Sequence, residues 1–318
     1  MTTDVSTTKI AIIGSGNVGT TFAYALLLSG LVSEIVLIDS NKSKAEGEVM
    51  DLNHAVPLSH PTTIRSGDYA DCAGAAITVI TAGVAQKPGE TRLELNKNNT
   101  EVFKKIIPVV AQQNPEGILL IATNPVDVMT YAAWKLSKLP PQRVIGSGTI
   151  LDTARFRQFL SRHFGVDPRS VHAFIIGEHG DSEVPIWSLA NIAGMRLESF
   201  ATMHNIPYDE TIRNEIFSKT RSAAYEIIRR KGATYYAVAV GLLRIVETVL
   251  RDQKTVYSVS NLVENYYSIR DTSLSLPSVI GRNGIEFVLQ LQLDKHEIVA
   301  LERSGDILRS AVAQLDLS

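Results

Sequence analysis

Lys9-Ile10-Ala11-Ile12-Ile13-Gly14-Ser15-Gly16-Asn17-Val18-Gly19 runs from an apolar pentapeptide straight into three glycines spaced G-x-G-x-x-G. The pentapeptide reads as a short strand buried on both faces. Thr20 to Ser29 continues as an apolar helix closed by Gly30, and Glu34-Ile35-Val36-Leu37-Ile38-Asp39 is a second apolar run ending in an acid. In that order each glycine has a physical role. Gly14 permits the tight turn, Gly16 lets a pyrophosphate approach the backbone, and Gly19 lets the helix pack closely on the strand. The helix start, with Asn17 and Val18, offers free N–H groups and positive potential to phosphate. Asp39 follows Gly19 by 20 residues, where a carboxylate accepts from both ribose hydroxyls and repels a 2′-phosphate. The expected cofactor is therefore NAD.

The same rhythm continues outward. Lys42 to Val56 reads as a helix, Ala76 to Gly83 as a strand ending in small residues, and Gly117 to Pro125 as another strand. Val126 to Ser137 is helical and Arg143-Val144-Ile145-Gly146 a short strand. Alternating strands and helices predict an α/β fold: a doubly wound parallel-sheet Rossmann domain over residues 1–147. Ligands of such sheets bind beyond the carboxyl ends of the strands. That edge would carry the glycine loop, Asp39, Thr81, Ala82, Gly83, Thr123 and Asn124. Between Gly83 and a helix from about Glu94 lies a loop broken by Pro88-Gly89 and carrying Gln86 and Arg92. It reads as a lid able to bring a charge onto the ligand.

Residues 148–318 carry no second glycine fingerprint and read as a mixed α+β substrate domain. A helix opening near Thr149 places Asp152 and Arg155 on one face, and Arg157 about 200° away from Arg155. An apolar run, Ala173-Phe174-Ile175-Ile176, reads as a buried strand leading into Gly177-Glu178-His179-Gly180-Asp181-Ser182-Glu183. His172 stands at the start of that strand, and His179 just past its end, between glycines. On its own His179 would be a solvated loop residue, yet a histidine so held can serve as a general acid or base near neutral pH. Two long helices meet near Thr234, Arg282-Asn283-Gly284 signals a hairpin, and Asp294 with Glu297 has capping-box spacing.

Composition excludes several alternatives. Hydrophobic residues make up 45% and charged residues 20% of the 318, enough to bury a sizeable core. The formal net charge of -2 and the lack of a long basic run argue against nucleic acid as a partner. Ile10 to Ser33 is uncharged, but its glycines, serine, asparagine and threonines make it too polar for a membrane span. The single cysteine, Cys72, forbids an intrachain disulfide and fits a reducing cytoplasm. No Cys/His ligand cluster is apparent, so no metal is expected. Met1 to Thr8 reads as a short polar tail without fixed structure.

Read together and in order, GSGNVG, LID, TAGVAQKPGETRLEL, TNPVD, GSGTILDTARFR, IIGEHGDSEVPIWS and KGATYYA resemble NAD-dependent L-lactate dehydrogenases of the bacterial type. The resemblance covers essentially the whole chain, although malate dehydrogenases share part of it. It implies that His179 donates a proton to the pyruvate ketone and takes it back from L-lactate, with Asp152 orienting the ring. It implies that Arg155 holds the substrate carboxylate in a bidentate fork, that Arg92 stabilises charge growing on the carbonyl oxygen, and that Asn124 and Thr234 line the substrate's surroundings. Val84 and Asn98 are further candidates for the cofactor site. Malate dehydrogenases carry an arginine at the position of Gln86, and the neutral residue here favours a monocarboxylic substrate. The competing readings are a malate or other 2-hydroxy-acid dehydrogenase, and a non-catalytic NAD-binding protein. Bacterial relatives activated by fructose 1,6-bisphosphate carry an arginine and a histidine at the positions of Arg157 and His172. The resemblance therefore implies a homotetramer in which facing subunits share that effector.

Overall fold

The computed structural model describes residues 8–84 and 92–317. The first half lays down β1 (Lys9–Ile13), α1 (Asn17–Ser29), β2 (Glu34–Ile38), α2 (Lys42–Ala55), β3 (Thr63–Ser66), β4 (Ile77–Ile80), α3 (Arg92–Gln113), β5 (Ile118–Ile121), α4 (Val126–Ser137) and β6 (Val144–Gly146). The strands lie side by side as β6-β5-β4-β1-β2-β3, with every pair parallel. The strand order reverses between β1 and β4, which opens a crevice at the carboxyl edge there. The strands are almost wholly aliphatic because helices cover both faces. Ile10, Ile12, Ile35, Leu37 and Val79 face Phe22 and Leu26 of α1 on one side. Ala11, Ile13, Val36 and Ile80 share the opposite core with Phe103 and Ile107 of α3.

The second half contains α5 (Ile150–Phe164), β7 (Val171–His172), β8 (Ile175–Ile176), β9 (Val184–Pro185), β10 (Asn191–Ile192), β11 (Met195–Arg196) and α6 (Leu197–His204). Then follow α7 (Glu210–Lys231), α8 (Tyr236–Leu250), β12 (Thr255–Val263), β13 (Thr272–Gly281), β14 (Gly284–Val288) and α9 (Lys295–Val312). The hairpin at Arg282-Asn283 joins β13 to β14, and the Asp294/Glu297 capping box opens α9, both as the sequence predicts. The long antiparallel strands do not form a layer of their own. β12 pairs with β6 at Ser260 and Gly146, so β12–β14 extend the parallel sheet to nine strands. The seam is close: a Cβ on Gly148 would lie 2.4 Å from the Ser260 amide nitrogen, and one on Gly146 2.8 Å from the Ser260 Cβ.

One expectation is corrected. Val171 to Ile176 is two strands rather than one: β7 pairs with β10, and β8 with β9 in another sheet. Side chains of α5 intercept the backbone between them. Arg157 Nε donates to the Ala173 carbonyl at 2.9 Å, and the Ile175 amide donates to Thr153 Oγ1 at 3.0 Å. Backbone groups satisfied by side chains leave the ladder. His172 and the His179 loop therefore belong to different sheets. No helix among the described residues is long and apolar enough to cross a membrane.

Candidate active site

The glycine loop behaves as its spacing implies. Gly14 has φ 109°, in the left-handed half of the map, and a Cβ there would lie 2.6 Å from the Ala82 nitrogen. A Cβ on Gly19 would strike the Gly14 carbonyl oxygen at 2.0 Å, so this glycine is dictated by the packing of α1 on the turn. Gly16 differs: its φ of -77° suits any residue and no atom lies within 4 Å of its would-be Cβ. The folded chain gives no reason for a glycine at 16; a ligand in the groove beside it does. That groove holds about 470 Å³ and is lined by Gly14, Gly16, Asp39, Thr81, Ala82, Gly83 and Val84, with Lys44, Tyr69 and Lys105 around them. Thr81 Oγ1 donates to the Gly14 carbonyl at 2.8 Å, and Thr123 Oγ1 to the Ala82 carbonyl at 2.7 Å, so these threonines fix the walls. The Asp39 carboxylate accepts from the Ser15 amide at 2.7 Å and from the Asn41 amide at 2.8 Å. Burial pushes its pKa up, but these bonds and nearby Lys44 outweigh that and hold it below the ordinary carboxylate value. An ionised acid at this edge suits a ribose diol and opposes a 2′-phosphate. Asn17 is exposed and Val18 half-buried at the start of α1, where the unpaired amides of a first turn lie. These residues fit a dinucleotide such as NAD.

A second cleft of about 270 Å³ lies beyond the groove, lined by Asn124, Asp152, Arg155, His179, Glu183 and Arg221 among others. Asn99, 1% exposed, stands between the two. Its side chain accepts from the Val84 amide at 2.7 Å and donates to the Asn124 carbonyl at 2.8 Å. At the cleft floor Asp152 holds two cations. One carboxylate oxygen lies 2.5 Å from His179 Nδ1, and the other accepts from an Arg155 terminal nitrogen at 2.8 Å. Burial works to raise the Asp152 pKa, but His179 and Arg155 outweigh it and hold the carboxyl below its ordinary value. Burial alone would lower the His179 pKa. The charge and hydrogen bond of Asp152, with Asp127 and Glu183 behind it, lift it instead to about 9. The ring is thus an imidazolium at neutral pH. Its Nδ1 is engaged by Asp152, which leaves Nε2 to face the cleft and exchange a proton there.

The loop carrying His179 is tied at three points. The Gly177 amide donates to the Ser275 carbonyl of β13 at 2.9 Å, the Glu178 amide to Ser304 Oγ of α9 at 2.8 Å, and the His179 amide to Asp127 of α4 at 2.7 Å. Asp127 is buried, and burial pushes its pKa up to about 6. The motif reading assigned no role to Asp127, Asn99, Ser275, Ser304 or Glu183. Only Asp127 had a local signal, an acid in the first turn of α4.

Other expected residues are placed as follows. Gln86 lies outside the described residues. Arg92 opens α3, and its side chain is likewise outside them. Asn98 is exposed on α3 and is absent from the lining of the groove. Thr234 is half-buried between α7 and α8 and does not line the second cleft; α7 contributes Arg221, Ala224, Tyr225 and Ile228 instead. Arg157 and Arg155 leave α5 on different sides. Arg157 is half-buried over the Phe174 ring, 5.2 Å from its centre, and burial lowers its pKa. His172 is exposed on β7.

Known proteins match this chain along nearly its whole length. Residues 8–146 match the family described as lactate/malate dehydrogenase, NAD binding domain, and residues 149–316 the one described as lactate/malate dehydrogenase, alpha/beta C-terminal domain. The chain is 53% identical over 309 residues to an L-lactate dehydrogenase of Acetivibrio thermocellus, covering 97% of this chain and 98% of that protein. It is 50% identical to one of Thermoanaerobacter pseudethanolicus, covering 97% and 99%. Among solved structures, a lactate dehydrogenase from a Medee basin deep-sea metagenome library superposes with a TM-score of 0.94 at 42% identity, covering 97% and 98%. The minor L-lactate dehydrogenase of Enterococcus mundtii gives 0.95 at 38% identity, covering 98% and 100%.

Proposed function

The chain belongs to the lactate/malate dehydrogenase family, and from that premise we propose that it is an NAD-dependent L-lactate dehydrogenase interconverting pyruvate and L-lactate. Relatives at 50% identity or above over nearly the whole chain carry that activity in their names. The observation that carries the reading is Asp152 holding His179 and Arg155 together at the floor of one cleft. NAD, when bound along the groove, supplies or accepts the hydride at the substrate carbon. Arg155 holds the substrate carboxylate by charge and a planar fork. His179, kept charged by Asp152, gives a proton to the carbonyl oxygen in reduction and recovers it in oxidation. Arg92 stabilises the charge that grows on that oxygen. The Asn124 side chain contacts the substrate, and α7 rather than Thr234 walls the rest of the cleft. We place the boundary between the NAD half, 1–147, and the substrate half, 148–318, close to where the two family matches meet.

Pyruvate is preferred over oxaloacetate because no cation at position 86 offsets a second carboxylate, which would cost several kcal/mol to bury unpaired. Steady-state rates with both acids test this. We expect at least a hundredfold preference for pyruvate in kcat/KM, and a strong shift toward oxaloacetate in Gln86→Arg. A wild type that favours oxaloacetate would support the malate reading. We further propose a cytoplasmic homotetramer in which Arg157 and His172 of facing subunits hold one fructose 1,6-bisphosphate. Arg157 shares α5 with Asp152 and Arg155, a short route from effector to substrate. Pyruvate saturation curves that superimpose with and without millimolar effector, at acid and neutral pH, would defeat this regulation.

A further inference from the structure

Glu183 has entered so far only as a minor support for the His179 charge, yet it lines the same cleft. It is 7% exposed, and its Oε1 is buried without a hydrogen-bond partner. Its backbone is fixed: the Glu183 amide donates to the Gly180 carbonyl at 3.2 Å, and β9 begins at the next residue. The charged groups around it are Asp152 and Arg155 of α5, Arg221 of α7, and Glu178, His179 and Asp181 of its own loop, with Asp127 of α4 behind His179. The α9 wall of the cleft is Ile307, Leu308 and Ala311, which carry no charge.

An unpartnered carboxyl oxygen in the same cleft as a guanidinium meant for another carboxylate is a competitor for it. We propose that Glu183 is a positioning residue that sets the charge of the substrate cleft: neutral, it leaves Arg155 to the substrate carboxylate, and ionised, it draws that guanidinium and repels the substrate. This rests on Arg155 being the substrate's anchor. Burial and the Asp152 charge push the Glu183 pKa up to about 8, against His179, Arg155 and Arg221. The group is therefore mostly protonated at neutral pH and ionises around pH 8. Pyruvate use then depends on two protons, one on Glu183 and one on His179. The Glu183 proton acts through KM, because saturating substrate outcompetes an internal carboxylate.

The test is the pH profile of pyruvate reduction from acid to about pH 10 in wild type and Glu183→Gln, the isosteric neutral side chain. In wild type kcat/KM falls with one proton above about pH 8 and with two above about pH 9. The variant lacks the first step, and its second step begins somewhat lower because the Glu183 charge no longer supports His179. At pH 9, relative to its own acid plateau, it retains severalfold and at most about tenfold more activity, the difference residing in KM. Superimposable profiles from an active variant overturn the proposal. If the variant does not fold, infrared spectra of wild type decide: the carbonyl stretch of a protonated carboxylic acid is present at neutral pH and bleaches through about pH 8. Its absence at neutral pH overturns the proposal equally. Failure of the underlying function looks different, since the wild type would then not turn over pyruvate at all.

Discussion

Replacing Asp152 by asparagine keeps the shape of the cleft floor and removes the charge that two cations share. The structure gives the size of the effect. His179 is moved from its ordinary value of 6.5 to about 9, roughly 3 kcal/mol in favour of the imidazolium. Burial offsets what Asp127 and Glu183 still contribute, so without Asp152 the midpoint should fall to about its ordinary 6.5. At pH 7.5 the wild-type ring is then almost wholly charged and the Asp152→Asn ring about one-tenth charged or less. Pyruvate reduction should lose at least tenfold in kcat/KM at pH 7.5 and recover part of it below pH 6. A rise in KM should accompany this, because the buried Arg155 guanidinium loses its partner. Lactate oxidation, which needs the neutral ring, should suffer less. Stability follows the same proton. The folded pKa lies above the unfolded one, so the stabilisation is complete below about pH 6.5 and is lost as pH rises through about 9. Wild-type melting temperature should decline across that window, and the variant's should not decline for this reason. The assays are steady-state rates in both directions, histidine NMR titration and thermal melts. A variant whose His179 midpoint stays near 9 would refute the assignment of that proton to the Asp152 pair.

Four other substitutions test the remaining parts. Gly16→Ala and Gly19→Ala should part company: the first leaves the melting temperature near wild type and weakens NADH at least tenfold, while the second costs about 1–3 kcal/mol because its Cβ meets the Gly14 oxygen. Equal melting temperatures in a calorimeter would contradict the packing argument. Asp39→Ala should narrow the preference for NADH over NADPH by weakening the first and admitting the second, read from fluorescence titrations of both. Ser304→Ala leaves the Glu178 amide without its partner, which should cost about 1–3 kcal/mol in urea unfolding and lower kcat.

What the sequence revealed depended on how local each signal was. β1, the glycine turn, α1 and Asp39 follow one another along the chain, so their order gave both the parallel sheet and the dinucleotide groove. Asp152 and Arg155 share a face at helical spacing and could be paired by counting. β3 escaped notice because Thr63–Ser66 is four residues long and only one of them, Ile64, is a buried hydrophobe. Asn99, Ser275 and Ser304 are polar residues of ordinary kinds, and what makes them matter is a partner far along the chain, such as Glu178 for Ser304, 126 residues away. Splitting β7 from β8 was equally illegible, since an apolar run does not disclose that side chains of α5 will claim its backbone groups.

The pairing of β12 with β6 has a mechanical meaning. Each half of the chain supplies the missing flank of the other, so neither has a finished boundary alone. Cut after residue 147, the first half would expose the backbone N–H and C=O groups of β6 as a bare strand, a template for aggregation. The second half would lose the strand against which its long hairpin is aligned. The seam is made of glycine and serine backbones in near contact, with no room for a lubricating layer. Heat or denaturant therefore cannot peel one half away and leave the other intact: the catalytic floor and the cofactor groove melt as one.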